Sequence, residues 1–380
     1  MLYFLQHYWW LLVTLLGSLL VFLMFVQGGQ SLLFCFARTK DEKSLLVNAM
    51  GHKWEMTFTT LVTFGGAIFA SFPLYYSTSF GGAYWLWMSI LFLFVLQAVS
   101  FEFRTKAGNI LGERTYEGFL FLNGVLGTFL VGAAVGTFFT GASFNMELNN
   151  ITNISSPVIS SWANGWHGLD ALANPFNLLL GAGVFLAARS LGLLYVIRHI
   201  DSDSLVTKAK KEIKITGSIF VVGFVVILVW LFTMTGYAVD PITGNISPEK
   251  FKFLHNMIQL IWPAAMLIVG VLLVLYGLGS EFFSKGKYSF YITGSGVVLA
   301  VWSLLICAGF NNTAYFVSTV DIQQSLTLYN SSSSLFTLKV MAYVSLFIPV
   351  VLLYIAWVWR KLVGNKVSQK DLADKDSHSY

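Results

Sequence analysis

Long apolar runs without a charged side chain alternate with short charged segments along the whole chain. Asp, Glu, Lys and Arg are absent from 1–37, 56–101, 118–146, 171–188, 215–239, 253–280, 288–320 and 340–359. A helix needs roughly 20 residues to cross a hydrocarbon core of about 30 Å, where an ionised side chain is costly. These stretches therefore predict membrane-spanning helices.

Two stretches differ in length from a single span. The 46 residues of 56–101 are too many for one helix, and Pro73 with the Ser/Gly-rich segment 75–82 predicts a tight turn between two helices. The short stretch 171–188 can continue to Tyr195 because a long Arg189 side chain can reach the interface. The pattern predicts an all-α, polytopic integral membrane protein of nine helices over 1–363, followed by a short tail, 364–380.

Basic residues are distributed unevenly between the two predicted faces. Of the 23 Lys and Arg residues, 20 fall in 38–53, 104–114, 189–214, 285–287 and the tail from 360. Lys250, Lys252 and Lys339 fall on the opposite face. Because cytoplasmic loops carry the basic excess, we expect the N-terminus outside and the C-terminus in the cytoplasm.

Composition excludes several classes of function. Charged residues make up 11% of the chain and hydrophobic residues 56%, whereas soluble domains carry about 25% charged residues. An ordinary soluble enzyme and a nucleic-acid-binding protein are both disfavoured, and the net charge of +5 belongs to the cytoplasmic loops. Cys35 and Cys307 lie near opposite membrane faces, so the sequence predicts neither a disulfide nor a cysteine metal site.

A membrane haem would need His or Met ligands within helices. All six histidines lie in a terminus, a loop or the first turn of a predicted span: His7, His52, His167, His199, His255 and His378. No pair has ligand spacing on one helix, and Met in a span usually serves packing. We therefore expect no metal site and no haem ligand set in this chain.

A few polar residues at the edges of spans are candidates for function. Glu55 opens the second predicted helix after Trp54. It either interacts favourably with the helix dipole or carries protons at the mouth of a path, where we expect partial burial against Trp54. Gln27 and Gln30 flank a Gly-Gly pair. They either bridge helices by hydrogen bonds or line a hydrated route.

Other residues near span ends favour structural interpretations. Glu102 and Arg104 end the third predicted helix and are expected to pair with each other or with a neighbouring helix. Asp170 is expected to cap the fifth helix. Asn174-Pro175 and Pro263 are expected to kink their helices. Tryptophans near the predicted ends favour interfacial belts: Trp9, Trp10, Trp85, Trp87 and Trp262 outside, and Trp54, Trp357 and Trp359 inside.

Short motifs spread over the chain resemble subunit II of the cytochrome bd-type quinol oxidases. They are Tyr8-Trp9-Trp10, Trp54-Glu55, Gly65-Gly66-Ala67, Phe69-Ala70, Pro73, Phe80-Gly81-Gly82-Ala83-Tyr84, Phe101-Glu102-Phe103-Arg104-Thr105-Lys106, Asn174-Pro175-Phe176, Ser332-Ser333-Ser334-Leu335, Thr337-Leu338 and Leu353-Tyr354-x-Ala356-Trp357. Each motif is weak alone, and their order and spacing make the resemblance specific.

The resemblance implies a fold, partners and a reaction. The fold would be two four-helix bundles plus a peripheral helix in a bacterial cytoplasmic (inner) membrane. A homologous subunit I would carry haem b and haem d, often beside a small single-helix subunit, while this chain would hold no haem and could accommodate a bound quinone. The complex would oxidise quinol, reduce oxygen to water and take protons from the cytoplasm.

One departure from the family concerns the proton route. Many members carry acidic residues where this chain has Gln27 and Gln30, and an amide cannot hold a proton as a carboxylic acid can. The resemblance also places an acid at Glu55, which becomes the main titratable candidate. The preferred hypothesis is a haem-free, proton-conducting subunit, catalytic only within the complex. The alternatives are a secondary transporter or channel, disfavoured because midplane polar or broken helices are scarce, and an assembly scaffold.

Overall fold

The computed structural model describes residues 1–35, 37–106, 108–153, 155, 158–283, 286–350, 353–355, 357 and 367. Apart from Val367, the predicted tail 364–380 lies outside the described residues, as does Trp359. The described chain is predominantly helical, which agrees with the all-α prediction, and its few strands form two small antiparallel pairs.

The helices follow the apolar stretches closely. They are α1 (Leu2–Leu23), α2 (Phe25–Gln30), α3 (Lys40–Gly51), α4 (Trp54–Ser71), α5 (Pro73–Tyr76), α6 (Tyr84–Phe103), α7 (Glu113–Leu122), α8 (Thr128–Thr140), α9 (Pro175–His199), α10 (Asp203–Thr233), α11 (Lys252–Gln259), α12 (Ile261–Phe283), α13 (Ser289–Gly309), α14 (Leu328–Ser331) and α15 (Leu335–Ser345). π-Helical turns occupy Ser77–Gly82 and Asn123–Gly127, and 3₁₀ turns Leu148–Thr152, Leu169–Ala173 and Ile322–Gln324.

The strands lie in the connections between helices. β1 (Phe144–Met146) pairs with β2 (Ser160–Trp162), with Asn145 opposite Ser161. β3 (Thr235–Val239) pairs with β4 (Ile246–Lys250), with Tyr237 opposite Pro248.

Eight helical runs in the described residues are long and apolar enough to cross a membrane. They are Leu2–Gln30, Tyr84–Phe103, Glu113–Thr140, Pro175–His199, Asp203–Thr233, Ile261–Phe283, Ser289–Gly309 and Leu335–Ile355. The predicted second span, α4, has 18 residues, including Glu55 and four threonines that lower its hydropathy. The count of nine therefore stays a prediction that depends on α4.

Several predicted helix boundaries are wrong because charge marks membrane depth rather than helix ends. Segment 75–82 is helical and includes a π turn instead of a tight turn between helices. α10 begins at Asp203, before the apolar stretch 215–239, and the last five residues of that stretch form β3.

The proline predictions have mixed outcomes. Pro175 does not kink a helix: it begins α9, and the Asn174 side chain accepts a hydrogen bond from the Phe176 N–H. A proline at the first helical position loses no intrahelical hydrogen bond. Near Pro263 the helix is interrupted at Leu260, between α11 and α12. This is consistent with the missing proline N–H, which would otherwise bond four residues back.

Close helix packing brings the polar residues of the interior together. α9 contacts α2, α8 and α10, and α1 contacts α4 and α13. A Cβ added at Gly28 would lie 1.8 Å from the Ala188 carbonyl oxygen, so the backbones of α2 and α9 meet there. Small residues allow such contacts between membrane helices.

Trp9 and Trp10 do not belong to an interfacial belt. They are buried and donate indole hydrogen bonds to the Leu338 and Leu305 carbonyls at 3.0 and 3.1 Å. They therefore hold α1 against α15 and α13. Cys35 and Cys307 are both free thiols.

Candidate functional site

Four amide side chains converge in the interior, between α2, α6 and the π turn Asn123–Gly127. We call Gln27, Gln30, Gln97 and Asn123 the amide cluster. The Gln97 Oε1 atom accepts hydrogen bonds from Gln27 Nε2 at 2.7 Å, Gln30 Nε2 at 2.7 Å and Asn123 Nδ2 at 2.6 Å. Each of the four side chains is at most 1% exposed, so the cluster is enclosed by protein.

Gly124 brings α2 and the π turn close enough for their amides to meet. A Cβ at Gly124 would lie 2.6 Å from the Gln27 carbonyl oxygen and 2.6 Å from the Ser31 backbone nitrogen. The wide π turn that begins at Asn123 is a feature often found at functional sites. Backbone contact therefore fixes the positions from which the amides reach one another.

The amide cluster is neutral, and part of its hydrogen-bonding capacity is unused. Among the described residues, Gln27 Oε1, Gln97 Nε2 and Asn123 Oδ1 are buried without a partner. Gln27 and Gln30 thus bridge helices by hydrogen bonds, one of the two predicted roles. Gln97 and Asn123 escaped the sequence analysis because an amide within an apolar stretch does not interrupt the charge pattern.

A second polar group lies at the end of α6. Arg104 is 0% exposed and donates from Nη2 to Glu117 Oε1 at 3.0 Å, while Lys43 Nζ lies 2.7 Å from Glu117 Oε2. Arg104 pairs with the neighbouring α7 and not with Glu102, which forms an exposed pair with Lys106. Glu117 was missed by the sequence analysis, although it directly precedes the apolar stretch 118–146.

Glu55 lies in the first turn of α4, as predicted, but its side chain is exposed. The expected burial against Trp54 is therefore wrong for this chain alone: Trp54 instead packs on Phe101, with ring centroids 6.1 Å apart. Among the described residues, no hydrogen bond or ion pair joins Glu55 to Gln27 or Gln30. The structure thus separates the predicted proton candidates into two locations.

The exposed side of α4 carries a line of polar and small residues beside the apolar Val62 and Phe69, which are 57% and 59% exposed. Glu55, Thr59, Thr63 and Gly66 are exposed and follow one another at intervals of three or four residues, which places them on one face. The Thr63 hydroxyl donates to the Thr59 carbonyl at 2.7 Å. We call this face the α4 polar stripe.

Charged side chains hold the start of α3 against the first turns of α10. Glu42 completes a capping box with Thr39 and contacts Lys208 of α10 at 2.8 Å. Burial acts to raise the pKa of Glu42, but hydrogen bonds from Lys208, Ser204 and the Arg38 and Thr39 backbone outweigh it and lower the pKa to about 2.

Asp170, which was predicted to lie on the outer side, has a local structural role. It lies in the 3₁₀ turn before α9, where its carboxylate accepts hydrogen bonds from the Gly168 N–H and from Asn164. The His167 ring packs on Tyr84, with centroids 4.4 Å apart. Asp170 therefore caps the preceding turn rather than α9 itself.

An apolar cavity of about 160 Å³ lies between α1, α8, α9, α10 and α13. Its lining includes Gly17, Phe138, Gly183, Phe224 and Leu304. It offers space for an apolar group only.

No group of three His, Cys, Asp or Glu side chains that could hold a metal ion occurs in the described part of the chain. His199, the buried histidine at the end of α9, has Nδ1 3.2 Å from the Tyr195 carbonyl and Nε2 3.2 Å from the Tyr291 hydroxyl. Both ring nitrogens are thus engaged within the protein.

Comparison with known proteins identifies the family. The model of the cytochrome bd terminal oxidase subunit II family matches residues 5–362, nearly the whole chain. The chain belongs to this family. It therefore represents a subunit of a haem-containing quinol oxidase complex, an oxidoreductase of the respiratory chain in which the haems lie on the partner subunit I.

Relatives from distant bacteria align with this subunit II over nearly their full length. It is 25% identical to the cytochrome bd-I ubiquinol oxidase subunit 2 of Escherichia coli strain K12, with 99% of this chain and 98% of the relative covered. It is 26% identical to the cytochrome bd ubiquinol oxidase subunit 2 of Bacillus subtilis, with 95% and 98% covered.

A solved structure shows the same fold. A chain of the bd oxidase from Geobacillus thermodenitrificans superposes with a TM-score of 0.63 at 12% identity, covering 93% of this chain and 98% of that one. The apolar helices and the family membership together fit a bacterial inner-membrane protein.

Proposed function

We propose that this chain is a haem-free subunit II that supports the haem-bearing subunit I of a quinol:oxygen oxidoreductase and delivers cytoplasmic protons to it through Glu55. In this proposal α4 is the ninth membrane span, the N-terminus faces outward and the C-terminus faces the cytoplasm. The observation that carries the proposal is the α4 polar stripe.

A polar face on a membrane helix is unfavourable against lipid. The exposed side of α10 illustrates the contrast, since Val222, Val225 and Val229 are 64%, 52% and 59% exposed. Covering the α4 polar stripe with protein would remove the threonine hydroxyls and Glu55 from the hydrocarbon. We infer that subunit I covers this face, which would place Glu55 at the subunit boundary, where a proton can pass between chains.

The environment of the histidines in the described part of the chain supports the haem-free part of the proposal. An axial ligand needs a ring nitrogen directed at the iron, and both nitrogens of the buried His199 face Tyr195 and Tyr291. His7, His52, His167 and His255 are at least partly exposed.

Three further partners follow from the same proposal. Quinol would be oxidised in subunit I, and a small single-helix subunit would complete the complex. The apolar cavity near Gly17 and Leu304 would accommodate part of a bound quinone or lipid chain, because its lining is almost entirely hydrocarbon.

The test is Glu55→Gln in the assembled complex, measured by oxygen consumption with quinol. Gln keeps the size and much of the hydrogen bonding of Glu but cannot release a proton, so we expect a normal haem spectrum and a rate reduced at least about tenfold. The matched control is Glu113→Gln, which removes a carboxylate of α7 that forms an exposed pair with Lys40 at 2.9 Å.

The alternatives give different results. A helix-dipole role for Glu55, worth about 0.3–1 kcal/mol, predicts turnover equal to that of the control. A scaffold role predicts the same. Wild-type turnover of an assembled Glu55→Gln complex would therefore refute the proton role while leaving the family membership intact.

A further inference from the structure

α10 is longer than a membrane span requires. Its 31 residues, Asp203–Thr233, extend for about 46 Å at 1.5 Å per residue. A hydrocarbon core of about 30 Å therefore leaves roughly ten residues outside. The apolar part of α10 begins after Lys214, so the first three turns lie at headgroup depth or beyond.

The exposed face of α10 changes from basic to aliphatic at this boundary. Lys211 and Lys214 are exposed, and Ile215, Ile219 and Val222 follow with 55%, 52% and 64% exposure. Lys211, Ile215, Ile219 and Val222 follow one another at intervals of four, four and three residues, which places them on one face of the helix, and Lys214 adjoins Ile215 on the exposed side. The two ammonium groups thus lie at the end of a column of branched apolar side chains.

Within the described part of the chain, the charges of these two lysines are not balanced by acidic side chains. Lys208 contacts Glu42 at 2.8 Å, and Glu212 contacts Arg189 at 3.0 Å. Neither Lys211 nor Lys214 has an acidic partner among the described residues. Like charges three residues apart on a helix repel each other, so an external anion would stabilise this arrangement.

We propose that Lys211 and Lys214 bind the phosphate headgroup of an anionic phospholipid, whose acyl chain lies along Ile215, Ile219 and Val222. Basic clusters at the inner end of a membrane helix attract anionic lipids. The acyl chain of a lipid can pack on the aliphatic column next to the lysines. A soluble anion has no apolar part and would make no use of these side chains. This site is independent of the proton route through Glu55.

The chain's own tail is the competing occupant. Val367 donates its backbone N–H to the His199 carbonyl at 2.8 Å and accepts from the Asp201 N–H at 2.9 Å, next to the start of α10. The following segment contains Asp371, Asp374 and Asp376, which could neutralise the lysines.

The experiment measures lipid selectivity of the full complex in bilayers of phosphatidylcholine, using spin-labelled phosphatidylglycerol and phosphatidylcholine as probes. We expect Lys211→Gln/Lys214→Gln to lower the preference of this site for phosphatidylglycerol by roughly thirty-fold, since each lysine near an anionic surface contributes about 1 kcal/mol. Lys211→Arg/Lys214→Arg should keep the preference. The control Lys250→Gln/Lys339→Gln removes two exposed lysines from the opposite predicted face and should change nothing.

Three results would overturn the proposal. One is unchanged selectivity in the Gln pair, and another is an equal loss in the Arg pair, which would indicate packing instead of charge. The third is a rise in phosphatidylglycerol preference in Asp371→Asn/Asp374→Asn/Asp376→Asn, because it would identify the tail as the occupant.

Discussion

Gln97→Leu tests whether the amide cluster holds α2, α6 and the π turn together. Leu has a similar volume but no acceptor, so the hydrogen bonds from Gln27, Gln30 and Asn123 to Oε1 are lost together. Asn123 keeps a second acceptor, Gln30 Oε1, at 3.2 Å. The amides of Gln27 and Gln30 are left without an acceptor.

The expected magnitude follows from two independent arguments. Hydrogen bonds between membrane helices contribute on average about 0.6 kcal/mol each, so that three give about 2 kcal/mol. Two orphaned buried donors at about 1–3 kcal/mol each give about 2–6 kcal/mol, reduced because the unpaired Gln97 Nε2 disappears as well. We expect a loss of about 2 kcal/mol in the free energy of unfolding, or about 4 °C in midpoint temperature for a large chain.

Cys307 provides the assay because it is 2% exposed and lies in α13, away from the amide cluster. In a Cys35→Ser background, maleimide labelling of Cys307 during a temperature ramp of the complex, quantified by mass spectrometry, reports unfolding of this subunit. The control is Gln6→Leu, since Gln6 is also buried but its side chain donates one hydrogen bond, to Ser332 at 2.7 Å. Equal midpoint temperatures for the Gln97 and Gln6 variants would refute the idea that the three hydrogen bonds to Gln97 Oε1 stabilise the bundle.

Three further outcomes are expected. Glu117→Gln leaves the fully buried Arg104 without its carboxylate and should cost about 3–5 kcal/mol, seen as poor recovery of assembled complex. Recovery should return in Glu117→Gln/Arg104→Gln, and failure to return would contradict a role in charge compensation. The contribution of Glu42 to the free energy of unfolding should be complete above its unfolded-state pKa of about 4.5. It should be lost as pH falls through the folded-state pKa of about 2. Thermal midpoints measured by circular dichroism against pH should show this in wild type and not in Glu42→Gln. The chain expressed without subunit I should contain no stoichiometric haem in a pyridine-haemochrome assay, and about one haem per chain would refute the haem-free proposal.

The charge pattern located the membrane helices because each segment that crosses the hydrocarbon must itself be nearly free of charged residues, whatever the rest of the chain does. Eight of the predicted spans correspond to long apolar helices, and the one outlier, α4, contains Glu55 and four threonines within 18 residues. Helix ends were less accessible: α10 continues through Lys208 and Lys214 to Asp203, since a helix does not stop where the hydrocarbon does.

The candidate site was only partly accessible to sequence reasoning. Glu55, Gln27, Gln30 and Arg104 stood out because polar residues are rare in or beside apolar stretches. The residues with which they form hydrogen bonds or ion pairs did not stand out in the sequence. Arg104 could not be assigned to Glu117 before the packing of α6 on α7 was known, and Gln97 resembles any isolated amide in a long apolar helix.

By itself, the sequence determined the class of protein, the approximate positions of its spans, the family and the short list of polar residues. The tertiary structure decided which way each helix faces: Gln97 inward to three donors, Glu55 outward on the α4 polar stripe, and Trp9 and Trp10 inward instead of at the interface. The physical reason is that a membrane helix meets apolar surroundings on both its protein and its lipid side. Hydrophobicity is then nearly uniform around the helix, so the sequence pattern does not show which side faces the protein. Close packing at small residues such as Gly28 and Gly124 sets the rotation of the helix instead.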